Sequence, residues 1–194
     1  MLPNGGRKNG NAKPNKNLLN SLPKIVVIGP ESTGKSTLSA ALATTWHTTW
    51  VPEYARDYLT ALQRPYTEHD LWVMAQGQLT AENEQEKKAH RLLVCDTNLY
   101  VHKVWSEHAY HRCHRNILHQ IAIRPYHLYL LTGIDMPWAP DPLREHPDPK
   151  WRDYFYRQYQ DLLIHSGVPW VAVNGSHEQR LQTANEAIAD IIQK

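Results

Sequence analysis

The chain has 194 residues and a formal charge of +2, a size that suits one domain with one core and one active site. Its bases Arg7, Lys8, Lys13 and Lys16 fall in the first 23 residues without an acid, leaving 17 bases against 19 acids in the remainder, so there is no electrostatic footprint for nucleic acid. Two cysteines, Cys95 and Cys113, with Cys95 inside an apolar run, argue against a disulfide framework and for a reducing, cytoplasmic setting, and no apolar stretch reaches the ~20 residues of a membrane helix.

Residues 1–23, rich in Asn, Gly, Lys and Pro, read as a disordered basic tail; residues 24–194 read as one domain. Lys24 to Ile28 is a short β-branched run stopped by Gly-Pro, a strand covered on both faces, and a helix follows from Ser36 to about Trp46. Thr48 to Val51 is a second strand and Ala55 to Leu62 a short helix. Thr67 caps a long helix with Asp70 three residues on, fraying by about Arg91. Leu92 to Asp96 is a third strand, followed by a helical stretch from about Leu99 to Arg124 with a break near His108. His127 to Leu131 is a fourth strand. Gly133 to Pro149 holds five prolines and reads as a long irregular lid. A helix over 151–166, a strand over 168–173 and a last helix capped by Ser176 and Gln179 complete the chain. Alternation of this kind predicts an α/β fold: a parallel five-stranded sheet with helices on both faces and a ligand site outside the carboxyl ends of the strands.

The spacing Gly29-x4-Gly34-Lys35-Ser36, placed between a strand and a helix, is the phosphate-loop pattern. Its backbone N–H groups and the helix N-terminus suit phosphate, Lys35 suits the β- and γ-phosphates, and Ser36 suits Mg²⁺. Gly29, Glu31, Ser32, Thr33, Gly34, Lys35, Ser36 and Thr37 are therefore expected to bind ATP with Mg²⁺. An ordinary Gly-containing turn is the bland alternative. Asp96, ending an apolar strand, is placed to hold Mg²⁺ or its water, although a carboxylate there also caps a helix. Glu53 and Asp57 flank Arg56 past the second strand; a carboxylate there accepts a substrate proton and an arginine orients substrate, unless the segment is only a surface helix start with an internal ion pair. Within the lid, Arg144 is the candidate to cover a transferring phosphoryl group, ahead of Arg152 and well ahead of Arg157. The catalytic set is thus Lys35, Glu53, Asp96 and Arg144. His108, His111 and His114 lack any paired metal-ligand signature, and a solvated His-rich face is expected rather than a metal site. Trp138, an aromatic inside the Pro-rich lid, has little core to join and suits a flat ligand.

These stretches resemble the ribosylnicotinamide kinase domain at the C-terminus of the NadR NAD-biosynthesis proteins and its stand-alone relatives. The resemblance is carried by Ile28 to Leu38, Val51-Pro-Glu-Tyr-Ala-Arg-Asp-Tyr58, Asp96-Thr97, Asp135-Met-Pro-Trp-Ala-Pro-Asp-Pro-Leu-Arg144 and Val168-Pro-Trp-Val171. It implies a nucleoside- or nucleotide-kinase-like enzyme with a lid that phosphorylates the 5′-hydroxyl of nicotinamide riboside. The ring would be held between Trp138 and Trp170, with Glu53, Tyr54, Arg56 and Asp141 also toward the acceptor and Asn174 near the adenine. The adenylyltransferase and DNA-binding segments of the family's best-known members have no counterpart in the short tail, so their activities are not implied.

Overall fold

The computed structural model describes residues 21–193. Five strands, β1 (Lys24–Ile28), β2 (Trp50–Val51), β3 (Leu93–Asp96), β4 (Leu128–Thr132) and β5 (Trp170–Val173), form one sheet in the order β2-β3-β1-β4-β5. Every pairing is parallel. Every residue of β1, β3 and β4 is buried, because helices cover both faces.

The helices are α1 (Lys35–Thr45), α2 (Tyr54–Ala61), α3 (Glu68–Glu86), α4 (Leu99–Tyr110), α5 (Arg115–Ile123), α6 (Pro149–His165) and α7 (His177–Ile192). Leu38 and Leu42 of α1 pack with Ala184 and Ile188 of α7 against Ile25, Val27 and Leu130. On the other face Val101 and Val104 of α4 and Phe155, Tyr159 and Leu163 of α6 pack against Val26, Ile28 and Leu131. Burying each such side chain contributes about 1.5–3 kcal/mol, which fixes the faces to which α4 and α6 turn.

Capping boxes open α3 at Thr67 and Asp70 and α7 at Ser176 and Gln179, as their sequences predict. The strand bounds differ from expectation by one or two residues: β2 and β5 begin at Trp50 and Trp170, later than 48 and 168. The long helical stretch breaks at residues 111–114, where His111 takes a left-handed φ of 53°, rather than at His108. His108 and His114 consequently lie on different helical segments. His108 joins a cluster of rings with His146, Trp151 and Phe155 and His114 stacks on Trp72, while His111 and His119 are exposed as expected. Among the described residues no cluster of His, Cys, Asp or Glu is arranged to hold a metal, and no helix is long and apolar enough to cross a membrane.

The tail expected over 1–23 lies outside the described residues except for 21–23. There Leu22 packs on the core and the Pro23 carbonyl accepts from Leu93 N at 2.8 Å, so these last three residues belong to the domain.

Candidate active site

The register sets the site. Val27 stands beside Asp96 and Ile28 beside Leu131, so the loop after β1 leaves the sheet between the carboxyl ends of β3 and β4, where α/β ligand sites form. Gly29 passes so close to β4 that an added Cβ would lie 2.3 Å from Thr132 Oγ1, and its φ is 152°; only glycine fits. Thr33 Oγ1 donates to Pro30 O at 2.8 Å and lies 2.7 Å from Thr132 Oγ1. Lys35 Nζ reaches over the loop to Pro30 O at 2.8 Å. A further cation, Arg180, is 3% exposed and donates to Thr33 O at 2.8 Å and to Gly175 O at 3.0 Å, with Asp135 also in contact. It locks the phosphate loop to the segments after β4 and β5. Sequence reasoning passed over it, although its i, i+4, i+8 spacing with Ala184 and Ile188 marks an arginine on a buried face.

Both oxygens of Asp96 are buried without a hydrogen-bond partner among the described residues. Burial, then the charge of Glu53, pushes its carboxyl up to about 6, against the weaker pull of Lys35 and the neighbouring Ser36 hydroxyl. Thr97 turns the chain with a φ of 69°, a conformation that strains a β-branched residue by about 1–3 kcal/mol and is characteristic of functional sites. An orphaned carboxylate beside the Ser36 hydroxyl is the donor set a Mg²⁺ ion takes, so these two residues fit the ion.

A cavity of about 230 Å³ opens from the phosphate loop. Gly29 to Thr37, Glu53, Arg56 and Arg144 line it together with Tyr66, His102, Trp105, Glu145, Phe155 and Tyr159. Glu53, the N-cap residue of α2, and Arg56 thus share one space with Lys35. Burial raises the carboxyls of Glu31 and Glu145 above their usual range, and burial likewise pushes the Tyr66 phenol up to about 12.

The lid, residues 133–148, is tied down over the loop. Ala139 N donates to Ser32 Oγ at 2.9 Å, Arg144 reaches the same oxygen at 3.3 Å, and His146 N donates to Glu31 Oε2 at 3.4 Å. Arg152, 8% exposed, holds Met136 O at 2.9 Å and Ser32 O at 3.2 Å, whereas Arg157 is exposed and pairs with Asp153. Asp141 pairs with Arg56 at 3.0 Å, joining lid to α2.

Four residues expected at the acceptor lie elsewhere. Trp170 opens β5 beside Tyr129, some three residues before the strand's carboxyl end, and packs on the core; at ~3.3 Å per residue that is about 10 Å along the strand from the ligand edge. Trp138 lies beneath Arg144 and Arg152, whose guanidinium carbons are 5.8 and 5.9 Å from its ring centre. Neither indole lines the cavity, so the structure does not bring the two together there. The Tyr54 ring packs on α3, where only glycine at 77 leaves room for it, and Asp141 serves the lid. The ring-bearing wall is built instead by Tyr66 and Trp105. The spacing of Val101, His102 and Trp105 on a helix that begins at the ligand edge was the available signal. Asn174 is exposed after β5, its side-chain oxygen against Gly133. It flanks the side on which Gly34, Thr37, Met136, His177 and Arg180 line a smaller recess.

The sheet order, the phosphate loop and the lid define a phosphate-loop α/β protein of the nucleoside- and nucleotide-kinase-like type. The chain belongs to the AAA domain family, which matches residues 24–180. It is 27% identical over 157 residues to the trifunctional NAD biosynthesis/regulator protein NadR of Escherichia coli (strain K12), covering 77% of this chain and 37% of that protein. A crystal structure of NadR protein in complex with NR has a TM-score of 0.72 at 21% identity, over 88% of this chain and 51% of that one. Thymidylate kinase from Candida albicans has a TM-score of 0.64 at 12% identity, over 88% and 92% of the two chains. The chain therefore spans about a third to a half of the NadR chains it matches. The resemblance to the NadR kinase domain read from the motifs extends over most of this chain.

Proposed function

We propose that this protein is a kinase that moves the γ-phosphoryl group of ATP to the 5′-hydroxyl of nicotinamide riboside, giving nicotinamide mononucleotide. The observation that carries the reading is one continuous cavity running from the phosphate loop to an aromatic and acidic wall. A nucleotide-dependent switch needs the first part only; a kinase needs both.

The loop amides and the N-terminus of α1 receive the phosphates, Lys35 accompanies the transferring group, and Asn174 with the recess by His177 and Arg180 faces the adenine side. Ser36 and Asp96 would hold Mg²⁺, which would neutralise charge on the phosphate oxygens. Glu53 accepts the hydroxyl proton as that oxygen bonds to the γ-phosphorus and the bond from phosphorus to the bridging oxygen breaks, releasing ADP. Arg56 orients the acceptor. Arg144, brought in by the lid, stabilises charge on the phosphoryl group and excludes water.

A pyridinium ring is flat and cationic. Tyr66 and Trp105 line the cavity beside it, Trp105 backed by His146 and Phe155, and an aromatic contact with such a ring is worth about 0.5–2 kcal/mol; a cation beside Glu31 and Glu145 offsets the cost of burying their carboxylates. The likeness to NadR protein in complex with NR supports the same acceptor.

The test is incubation with Mg-ATP and a panel of nucleosides, with products read by mass spectrometry. Phosphorylated nicotinamide riboside is the expected product. A different phosphorylated nucleoside overturns the acceptor but keeps the kinase; ATP hydrolysis with no phosphorylated nucleoside overturns the kinase and favours a regulatory ATPase.

A further inference from the structure

One polar group on the cavity wall has no part in the chemistry just described. His102 of α4 is 3% exposed, lines the cavity, and has both ring nitrogens buried; among the described residues the polar group beside them is the backbone of Asn98, one turn back, which serves at most one of the two. Burial holds its imidazole down at about 4, the neighbouring Asn98 backbone offsetting this only in part. The ring is therefore neutral near pH 7, with one nitrogen that donates and one that accepts. Leaving such a group unsatisfied in the interior is costly, and buried orphans of this kind persist where a ligand completes them.

Its place along α4 says what that ligand presents. Asp96 and Thr97 precede the helix, His102 stands three residues after its first residue, Leu99, and Trp105 three residues further. At 1.5 Å of rise per residue, His102 and Trp105 are about 4.5 Å apart along the helix axis and share a face. Both line the cavity, and the imidazole lies nearer than the indole to the end of α4 that starts at the ligand edge. An acceptor nucleoside with its 5′-hydroxyl toward the phosphate and its ring toward Trp105 has its sugar at the level of the imidazole.

We infer that His102 is a binding residue for the sugar, hydrogen-bonding a secondary hydroxyl of the ribose and so selecting ribonucleosides over deoxynucleosides. A hydroxyl both donates and accepts, and so matches a neutral imidazole; a deoxy sugar leaves a ring nitrogen orphaned. The inference rests on the acceptor site proposed above and goes beyond it by naming the group that reads the sugar.

The experiment compares wild type, His102→Gln, His102→Leu and His102→Phe on a riboside and its 2′-deoxy and 3′-deoxy analogues, with KM and kcat for each, KM for ATP, and thermal unfolding. Wild type should prefer the riboside over one deoxy analogue by about 5- to 100-fold. His102→Leu and His102→Phe should raise KM for the riboside by a similar factor and bring that preference near unity, with ATP KM unchanged; His102→Gln, which keeps a donor and an acceptor, should retain part of it. Should the phenylalanine fail to fold, the Gln and Leu pair carries the same comparison. A folded apolar variant that keeps the preference, or loses ribo and deoxy substrates equally, overturns the assignment. A wild type that phosphorylates no nucleoside refutes the kinase reading itself, a distinguishable result.

Discussion

Replacing Asp96 by asparagine should make the ligand-free protein more stable while removing its function. In the folded state the Asp96 carboxyl is raised from 3.8 to about 6 by burial and by the charge of Glu53. The folded chain thus holds this proton more tightly than the unfolded chain does, so stability falls as pH rises from 3.8 through about 6 and is regained on acidification. At about 1.4 kcal/mol per pH unit, the ionised group costs about 3 kcal/mol at pH 7.5. The asparagine amide is also buried without a partner, at about 1–2 kcal/mol. A net gain of about 1–2 kcal/mol remains, or roughly 2–8 °C in Tm for a chain of this size. Thermal unfolding of wild type and Asp96→Asn between pH 4 and 8, without nucleotide or Mg²⁺, reads it: the gain should be full at pH 7.5 and fade below about pH 6 as the wild-type carboxyl takes its proton. An asparagine variant less stable than wild type at pH 7.5, or a difference that does not change with pH, refutes the reasoning. With Mg-ATP present the same variant should lose turnover and need far more Mg²⁺.

Lys35→Ala should abolish phosphoryl transfer while leaving the unfolding transition in place, since among the described residues its ammonium hydrogen-bonds just Pro30 O of its own loop; near-normal turnover in the folded variant would contradict this. Glu53→Gln should depress kcat by at least about 100-fold with ATP binding, measured by calorimetry, little changed. Trp105→Ala should raise the acceptor KM by about 2- to 30-fold, the factor that one aromatic contact supplies. Trp170→Ala, by contrast, should lower Tm and leave KM alone, because that indole, which like Trp105 packs on the core, does not line the cavity; a KM effect at Trp170 without one at Trp105 would reverse the placement.

The phosphate loop, the parallel sheet and the capped helices were legible in the sequence because each is encoded by neighbours in the chain. A β-branched run stopped by Gly-Pro, a fixed Gly-x4-Gly-Lys-Ser spacing, and Thr67 with Asp70 three residues on all act through backbone geometry within a few residues. Asp96 and Glu53 were found for the same reason: a polar residue ending an apolar strand of a parallel sheet lies at the ligand edge whatever surrounds it. The acceptor wall is different in kind. Tyr66, His102, Trp105, Glu145 and Phe155 come from segments spread over some 90 residues of sequence, and which aromatics meet there depends on how α3, α4 and α6 turn their apolar stripes onto one face of the sheet. Local pattern pointed to Trp138, and the family resemblance added Trp170. Tertiary packing places both away from the cavity: Trp170 enters the sheet at the far end and Trp138 lies against two arginines, Arg144 and Arg152. The role of Arg180 was likewise invisible locally, since a guanidinium that binds three carbonyls from separate loops acquires its meaning only when those loops converge.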